Sequence, residues 1–549
     1  MQAYLSKSRV RLAAAFALVA MALWTARHLI TAVHIGSLID YLYSYWILIV
    51  SFLVLVITIG LSYRERPKTS AAPTGSDAHV AAIIPAYNED PAALQECIRS
   101  LFAQTRPPQE IYVVDDGSRV EYSTVAQWAG TQAGKHGSAI KWLRQDNSGK
   151  RHAQAHAIAK ADQATIFITV DSDSVLDRHA IAELLKPFAD PDVQSVAGLV
   201  LARNNRTNLL ARITDLLFVT GQLTDRSMMS SLGSVLVNSG GLAAYRADVV
   251  RRNIQSYLHE EFFGHPVEFS DDSMLTLYAL GSGKTIQQPT AFVFTMMPDR
   301  LSHHVRQQIR WMRGSFIRSW WRLKYLPPWS PGFIRQAVGW LQFVVTTTLL
   351  TLMLISRPSM PHVPLLPLIA IPILVGYAQA LRYFAVHRSD EPLWSQLLTY
   401  ALTPLAVLWS YLVLRPIRLY AAITCFRGSW GTRKSVEVTL QPRKRHWRTT
   451  INAALRYRIV FDSRYDYLMR SIDYTSHTPA AWGTAWEHYY ASLNERQQQG
   501  LWNGFYAARE RLASSEPMET SHIQRFSFHQ RVLLRLIERN RTALLPLKP

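Results

Sequence analysis

Two kinds of hydrophobic pattern divide this chain. The first is unbroken. Tyr41–Tyr63 lies uncharged between Asp40 and Arg64, Gln336–Ser356 lies between Arg335 and Arg357, Pro358–Leu381 stops at Arg382, and Pro392–Leu414 stops at Arg415. Roughly 20 apolar residues in a helix cross a bilayer core of about 30 Å, so each run is predicted to span. A shorter run, Leu12–Ala26, follows Lys7, Arg9 and Arg11. That layout fits a signal peptide as well as a span, and the lack of a clear small-x-small cleavage site favours the span. Pro404 interrupts the last run, so Pro392–Cys425 is expected as a re-entrant or broken hairpin.

The second pattern is short and punctuated, and it fills the stretch from Arg64 to Arg335. Val80–Pro85 reads as a buried strand, Leu94, Cys97, Ile98, Leu101 and Phe102 recur at helical spacing, and Ile111–Val114 is again a strand. A further helix is predicted to begin near His152, and a third strand over Ala164–Val170. This βαβ alternation predicts an α/β fold with a doubly wound parallel sheet, which receives ligands at the carboxyl ends of its strands. Farther on, Val305, Ile309, Met312, Phe316, Trp320 and Leu323 form an apolar helical stripe, while Arg306, Arg310, Arg313, Arg318 and Arg322 populate other faces. Such a helix is predicted to lie in the membrane interface.

Composition sharpens this division. Of 549 residues only 18% are charged, against about a quarter in soluble domains, and the deficit sits in the unbroken runs. The 16 Trp, 24 Tyr and 20 Phe exclude disorder, and the two cysteines, Cys97 and Cys425, exclude a disulfide scaffold. Basic residues mark cytoplasmic span ends. They place the N-terminus inside, the 27–40 loop outside, and the middle of the chain in the cytoplasm of a multi-pass cell-membrane protein. The net charge of +20 is spread over span ends, the interfacial helix and the tail. A nucleic-acid binder would instead need one coherent basic surface, so no nucleic-acid partner is expected.

The candidate chemistry sits at strand ends. Asp115-Asp116-Gly117-Ser118 closes the second strand and Asp171-Ser172-Asp173 the third. Alternating carboxylates in a loop suit a hard divalent cation, Mg2+ or Mn2+, set between protein and a diphosphate. Taken singly, the first motif is also a common turn and the second a common helix cap. Lys150 and Arg151 follow Gly149. In Ser270-Asp271-Asp272 either carboxylate could be a general base, or both could cap a helix over Met274–Leu280.

In this order the motifs resemble those of membrane-integrated, processive family-two glycosyltransferases, most of all the hyaluronan synthase branch, from about Val80 to Arg433. The resemblance implies a GT-A domain inserted between transmembrane helices, with amphipathic interface helices. It implies nucleotide binding by Asp115 and Asp116, diphosphate contacts from Lys150 and Arg151, and a metal-binding DxD in which Asp171 meets the substrate and Asp173 the metal. Asp272 is the implied base, standing where hyaluronan synthases have Gly-Asp-Asp. Gln307-Gln308-Ile309-Arg310-Trp311 matches the QxxRW signature of processive members, which assigns Gln307, Arg310 and Trp311 to substrate and makes Trp311 a platform for the acceptor sugar. Trp430-Gly431-Thr432-Arg433 is similar to a gating loop, assigning Trp430 and Arg433 likewise.

The implied partners are UDP-sugar donors, a growing polysaccharide acceptor and the lipid bilayer. The division reads 1–66 N-terminal spans, 78–300 catalytic domain, 301–330 interfacial helices, 334–425 C-terminal membrane region, 426–434 gating-loop-like segment, and 435–549 an extension without an assigned role. Departures fall at Asn238 and Gly241, where the branch reads Cys-Ser-Gly-Pro-Leu, and at Ser270 and Ser273 beside the Asp pair. The first two are expected to alter the acceptor pocket, and together the four speak against hyaluronan itself as the product while leaving glycosyl transfer intact, so chitin-like, cellulose-like or mixed uronic-acid polymers stay open. A single transfer to a lipid acceptor is the rival reading.

Overall fold

The computed structural model describes residues 53–68, 78–356, 365–386 and 391–427. The Leu12–Ala26 run, the first part of Tyr41–Tyr63, Trp430, Arg433 and the 435–549 extension lie outside the described residues.

The strands are β1 (Val80–Ala86), β2 (Glu110–Asp116), β3 (Ala139–Gln145), β4 (Ile166–Thr169), β5 (Val175–Leu176), β6 (Val193–Ala202), β7 (Ala243–Arg246), β8 (Glu261–Phe262), β9 (His265–Pro266) and β10 (Lys284–Thr295). Eight of them form one sheet in the order β3-β2-β1-β4-β7-β6-β10-β5, and β8 and β9 make a separate hairpin. β1 is buried along its whole length. Val80, Ala82 and Ile84 enter one core cluster with Leu94, Ile98 and Leu101. Ala81 and Ile83 enter another on the opposite face, with Tyr112, Val114 and Ala157. Burial on both faces is why this strand reads as an unbroken apolar run rather than an alternating one. The predicted helix after β1 spans Pro91–Phe102, begun by Asp90, whose carboxylate accepts from the Ala92 N–H, and by Pro91 in its first turn.

The sheet corrects the expectation of a parallel doubly wound arrangement: it is mixed. β3, β2, β1 and β4 run parallel, but β7 is antiparallel to both β4 and β6, and β5 is antiparallel to β10. The chain leaving β6 passes through the helices Leu209–Gly221 and Ser227–Ser231 and enters β7 from the same end of the sheet. Without a crossover, β7 must run antiparallel. β3 went unpredicted because it is an edge strand carrying Lys141 and Arg144, charges that suit an unpaired edge but hide the strand pattern.

Instead of several interfacial helices there is one of 25 residues, Leu301–Tyr325. Its buried face is more polar than the apolar stripe predicted. His304, Gln308, Gly314, Ile317, Arg318, Ser319 and Arg322 face inward and are buried, whereas Trp320 of the apolar stripe is 42% exposed and Trp311 40%. The arginines of this helix are therefore partly core residues.

Pro331–Ser356 is a 26-residue helix containing the uncharged run Gln336–Ser356, and Leu365–Ala380 is helical through Pro372. The chain does break before Pro404, between the helices Leu393–Ala401 and Thr403–Trp409. The apolar segment does not stop at Arg415, however. It continues through a π-helical turn at Ser410–Leu414 into Arg415–Ile423. Arg415 is accommodated because it donates to the Thr346 and Thr347 hydroxyls, at 2.8 Å each, and lies over the Tyr411 ring. Among the described residues, Thr403–Ile423 is the one helical stretch long and apolar enough to cross a membrane. Residues 384–398 segregate as part of a small second unit, in which Ser395 donates to Glu391 and Gln396 to the Val386 carbonyl.

Candidate active site

β2 ends in the acidic pair, with Asp115 2% and Asp116 1% exposed. Their carboxylates are committed to neighbouring loops. Asp115 accepts from the Ser118 N–H at 2.9 Å, and Arg144 lies 3.6 Å away. Asp116 accepts from the N–H groups of Ser148 and Gly149, at 3.0 and 2.9 Å, and from the Gln145 amide. Gly117, at φ +71°, is required here, since a Cβ would come within 2.6 Å of the Asn147 nitrogen. The pair thus fixes the 146–149 loop, which leads straight into the Lys150–Lys160 helix.

Lys150 and Arg151 open that helix and part company. The Lys150 ammonium lies 2.9 Å from Asp171 and 3.1 Å from Asp271, tying the DxD loop to the Asp271–Asp272 corner. Burial opposes its charge, but the two carboxylates outweigh that and raise its pKa. Arg151 corrects the sequence expectation. It is 3% exposed and faces the interior, donating to the carbonyls of Tyr257 and Phe269 at 3.0 and 2.8 Å and pairing with Glu260 at 2.7 Å. The structure does not bring it to the diphosphate side.

Sequence reasoning missed the partners of Arg151. Glu260 also accepts from both terminal nitrogens of Arg318 and from the Trp321 indole. Arg318, on the QxxRW helix, is fully buried. One carboxylate thus gathers the Lys150–Lys160 helix, the 257–269 segment and the Leu301–Tyr325 helix. The only sequence signal was an arginine within an apolar period, which is also the signature of a solvated face.

The Asp171-Ser172-Asp173 loop has an alternating exposure, with Ser172 buried and the two aspartates half-buried, so both carboxylates lie on the open side. Thr295 donates to Asp173 at 3.2 Å, and Ser172 to Glu89 at 3.0 Å. Among the described residues no group of three or more His, Cys, Asp or Glu could hold a metal alone. A pair of carboxylates still fits Mg2+ or Mn2+, which take one or two from protein and complete their shell with water and phosphate oxygens.

Asp271 and Asp272 occupy the first turn of the Asp271–Ser282 helix, preceded by Ser270 in the left-handed region at φ 60°. Asp271 is not a cap, because its carboxylate faces Lys150 and the Gln154 amide, the latter at 3.3 Å. The pair separates electrostatically. Burial works against the charge on Asp271, but Lys150 prevails and lowers its pKa. Burial and the neighbouring Asp271 charge push Asp272 up to about 6. Ser273 holds Asp272 Oδ1 through its N–H at 2.6 Å and its hydroxyl at 3.3 Å.

The QxxRW helix presses on this corner. A Cβ at Gly314 would lie 2.6 Å from Ser270 Cβ and 2.8 Å from its Oγ, so glycine permits the approach. One to two turns earlier stand Trp311, whose ring stacks on Phe218 at 6.0 Å, Arg310, and Gln307, whose buried Oε1 has no hydrogen-bond partner. The 236–241 segment closes the other side. Arg322 holds the Leu236 carbonyl, Thr276 accepts from the Asn238 N–H, and Gly240 runs so close that a Cβ there would lie 3.2 Å from Lys150 Nζ.

The family profile described as "Glycosyltransferase like family 2" matches residues 77–314. A hyaluronan synthase of Streptococcus pyogenes is 33% identical over 399 residues, 72% of this chain and 91% of that relative. An N-acetylglucosaminyltransferase of Azorhizobium caulinodans is 30% identical over 371 residues, 64% of this chain and 87% of the relative. Among solved structures, the mannosyltransferase PcManGT from Pyrobaculum calidifontis, in complex with GDP-Man and Mn2+, covers 71% of this chain and 99% of its own, at 19% identity and a TM-score of 0.45. The chain belongs to glycosyltransferase family 2 and is a sugar transferase.

Proposed function

We propose that this enzyme is a membrane-integrated, processive, inverting synthase that builds an extracellular β-linked polysaccharide from UDP-sugars and passes it through its own spans. The observation that carries the reading is Lys150 bridging Asp171 and Asp271 at 2.9 and 3.1 Å. It sets the donor loop against the corner that holds the base, with the QxxRW helix packed behind.

In this reading Asp272 takes the acceptor hydroxyl's proton on Oδ2, since Ser273 occupies Oδ1. Its raised pKa makes it a stronger base than Asp271, and a placed base contributes roughly 10²–10⁴ in rate. Asp115 and Asp116 act by holding the loops that receive the nucleotide. Asp171 and Asp173 would hold Mg2+ or Mn2+, which supplies positive charge to the diphosphate. Lys150 and Arg310 meet the charge that grows on the leaving group. Gln307 offers its unpartnered oxygen to a sugar hydroxyl, and Trp311 its exposed face to the acceptor ring. Trp430 and Arg433 would close over the nucleotide as a gating loop, with the catalytic domain cytoplasmic and the spans in the cell membrane.

The relatives named hyaluronan synthase and N-acetylglucosaminyltransferase favour N-acetylglucosamine among the donors. The test is incubation of purified protein with UDP-glucose, UDP-N-acetylglucosamine and UDP-glucuronate, singly and in pairs, with sizing of labelled product. Long polymer is expected, lost on chelation and restored by Mg2+ or Mn2+. Mono- or disaccharide adducts alone would refute processivity and favour the single-transfer reading.

A further inference from the structure

β8 and β9 form a hairpin just before the catalytic corner, and its two-residue turn is Phe263-Gly264. Both turn residues have positive φ, 49° and 76°. This is the type I′ geometry that ordinarily takes Asn-Gly, and a phenylalanine there is strained. Asparagine would serve the turn better, so the ring's value lies in where the turn puts it.

Phe263 is 67% exposed at the tip. Its ring lies 5.9 Å from Trp320 and 6.3 Å from Phe426, and Phe262 stacks on Phe426 at 5.7 Å. Trp320 and Phe426 are themselves 42% and 47% exposed. The hairpin, the outward side of the QxxRW helix and the end of the last helix therefore share one open aromatic patch. Beneath it, Phe262, Phe269, Ile317 and Cys425 form a buried cluster that fixes the three elements together.

What covers the patch follows from its continuity with the apolar stretch Thr403–Ile423. That stretch ends three residues before Phe426, and its last residue, Ile423, is 79% exposed. A helix that spans the hydrocarbon core delivers its end to the headgroup region, where Trp and Tyr concentrate. A cation lies at the edge of the patch: Lys324 is 5.1 Å from the Trp321 ring, which meets Phe262 edge-on at 5.5 Å.

We propose that the Phe263 hairpin tip is a membrane-interface anchor, set into the lipid headgroup region together with Trp320 and Phe426. The proposal rests on the reading of Thr403–Ile423 as a span, and the test separates the two.

Both native thiols are buried, so an environment-sensitive fluorophore can be placed by Phe263→Cys in the full-length protein, with labelled wild type as blank. His265→Cys at the foot of the turn is a second site should the first variant fold poorly. Leu412→Cys, mid-span and 64% exposed, reports on the span and Lys135→Cys on the catalytic domain. In nanodiscs carrying lipids with nitroxides at shallow or deep positions, the label at 263 or 265 is expected to be blue-shifted and quenched at least twofold by shallow nitroxides. The label at 412 is expected to be quenched by deep nitroxides, and the label at 135 by neither. Quenching at 412 with none at 263 and 265 would overturn the anchor and leave the span standing. No quenching at 412 or at 263 would overturn both.

Discussion

Lys150 and Arg151 are chain neighbours at the start of one helix, yet they serve two buried ionic clusters of opposite design. Around Lys150, one cation faces Asp171 and Asp271, with Asp272 close by, in a half-open setting where negative charge is in excess. Around Arg151, two guanidiniums close on the single carboxylate of Glu260, and backbone carbonyls and the Trp321 indole take part. The first cluster is left wanting positive charge, which a cation or an incoming proton can supply. The second is closed by partners from three elements, and its one carboxylate is saturated by two guanidiniums. An open cluster and a structural clamp can thus be told apart by whether their carboxylates are saturated, even when adjacent residues feed them.

The sharpest test of the open cluster is Asp272→Asn. Sugar transfer is expected to fall roughly 10²–10⁴-fold while UDP binding by calorimetry is retained. Full turnover would remove Asp272 as the base.

The pair Lys150→Met and Arg151→Met tests the contrast itself. Breaking a buried ion pair costs about 3–5 kcal/mol where it leaves a charge uncompensated. Arg151→Met leaves Glu260 paired with Arg318, so its loss of stability is expected to fall below that figure, as a melting midpoint lower by a few degrees, with donor KM unchanged. Lys150→Met leaves Asp171 and Asp271 without their shared cation, and is expected to lower kcat/KM for the donor roughly 100-fold or more as well as the melting midpoint. Identical profiles for the two variants would erase the distinction drawn here.

Gly314→Ala should have an intermediate effect. Its Cβ would lie 2.6 Å from Ser270 Cβ, pushing the corner by some tenths of an ångström and slowing transfer by roughly tenfold, since small misplacements of reacting groups are costly. An unchanged single-turnover rate would show that the corner is softer than its packing implies.

The smallest expected effect is on pH dependence. As the proposed base, Asp272 would act only when ionised, and burial with the Asp271 charge pushes its pKa up to about 6, so the rate should fall as pH drops below about 6. The Asp271 charge helps to raise that pKa. In Asp271→Asn the acidic limb should therefore move to lower pH, by about one unit at most, or ~1.4 kcal/mol. A shift to higher pH would reverse the assignment of the two carboxylates.

Sequence patterns reveal what is regular along the chain. β1, β2, β4 and the helix Pro91–Phe102 were legible because burial on both faces or on one stripe writes directly into residue order. The acidic motifs were legible because each follows a strand. Less legible was whatever depends on which face a polar residue turns. Arg151 looked like a diphosphate ligand and is a core staple, because its partner Glu260 lies more than a hundred residues away. Arg318 and Arg322 read as polar faces of an interfacial helix and are buried. The antiparallel entry of β7 was hidden because sequence shows the strand but not the end by which it is entered.

The contact between Ser270 and Gly314 bears on how such a sequence can change over time. The synthases this chain resembles carry glycine in the loop position that serine fills here, while here the facing helix residue is the glycine. With Ser270 at φ 60° and its side chain against position 314, a methyl on the helix is obstructed. With glycine in the loop the backbone strain vanishes and the obstruction eases, leaving Phe269 Cδ2 at 3.3 Å as the remaining close neighbour. The order of substitutions therefore matters. Ser270→Gly opens the way for Gly314→Ala, whereas the reverse order passes through an impaired enzyme, so the double variant should outperform Gly314→Ala alone. The corner has room for one side chain beyond the backbone, and two segments that meet only in the folded protein compete for it.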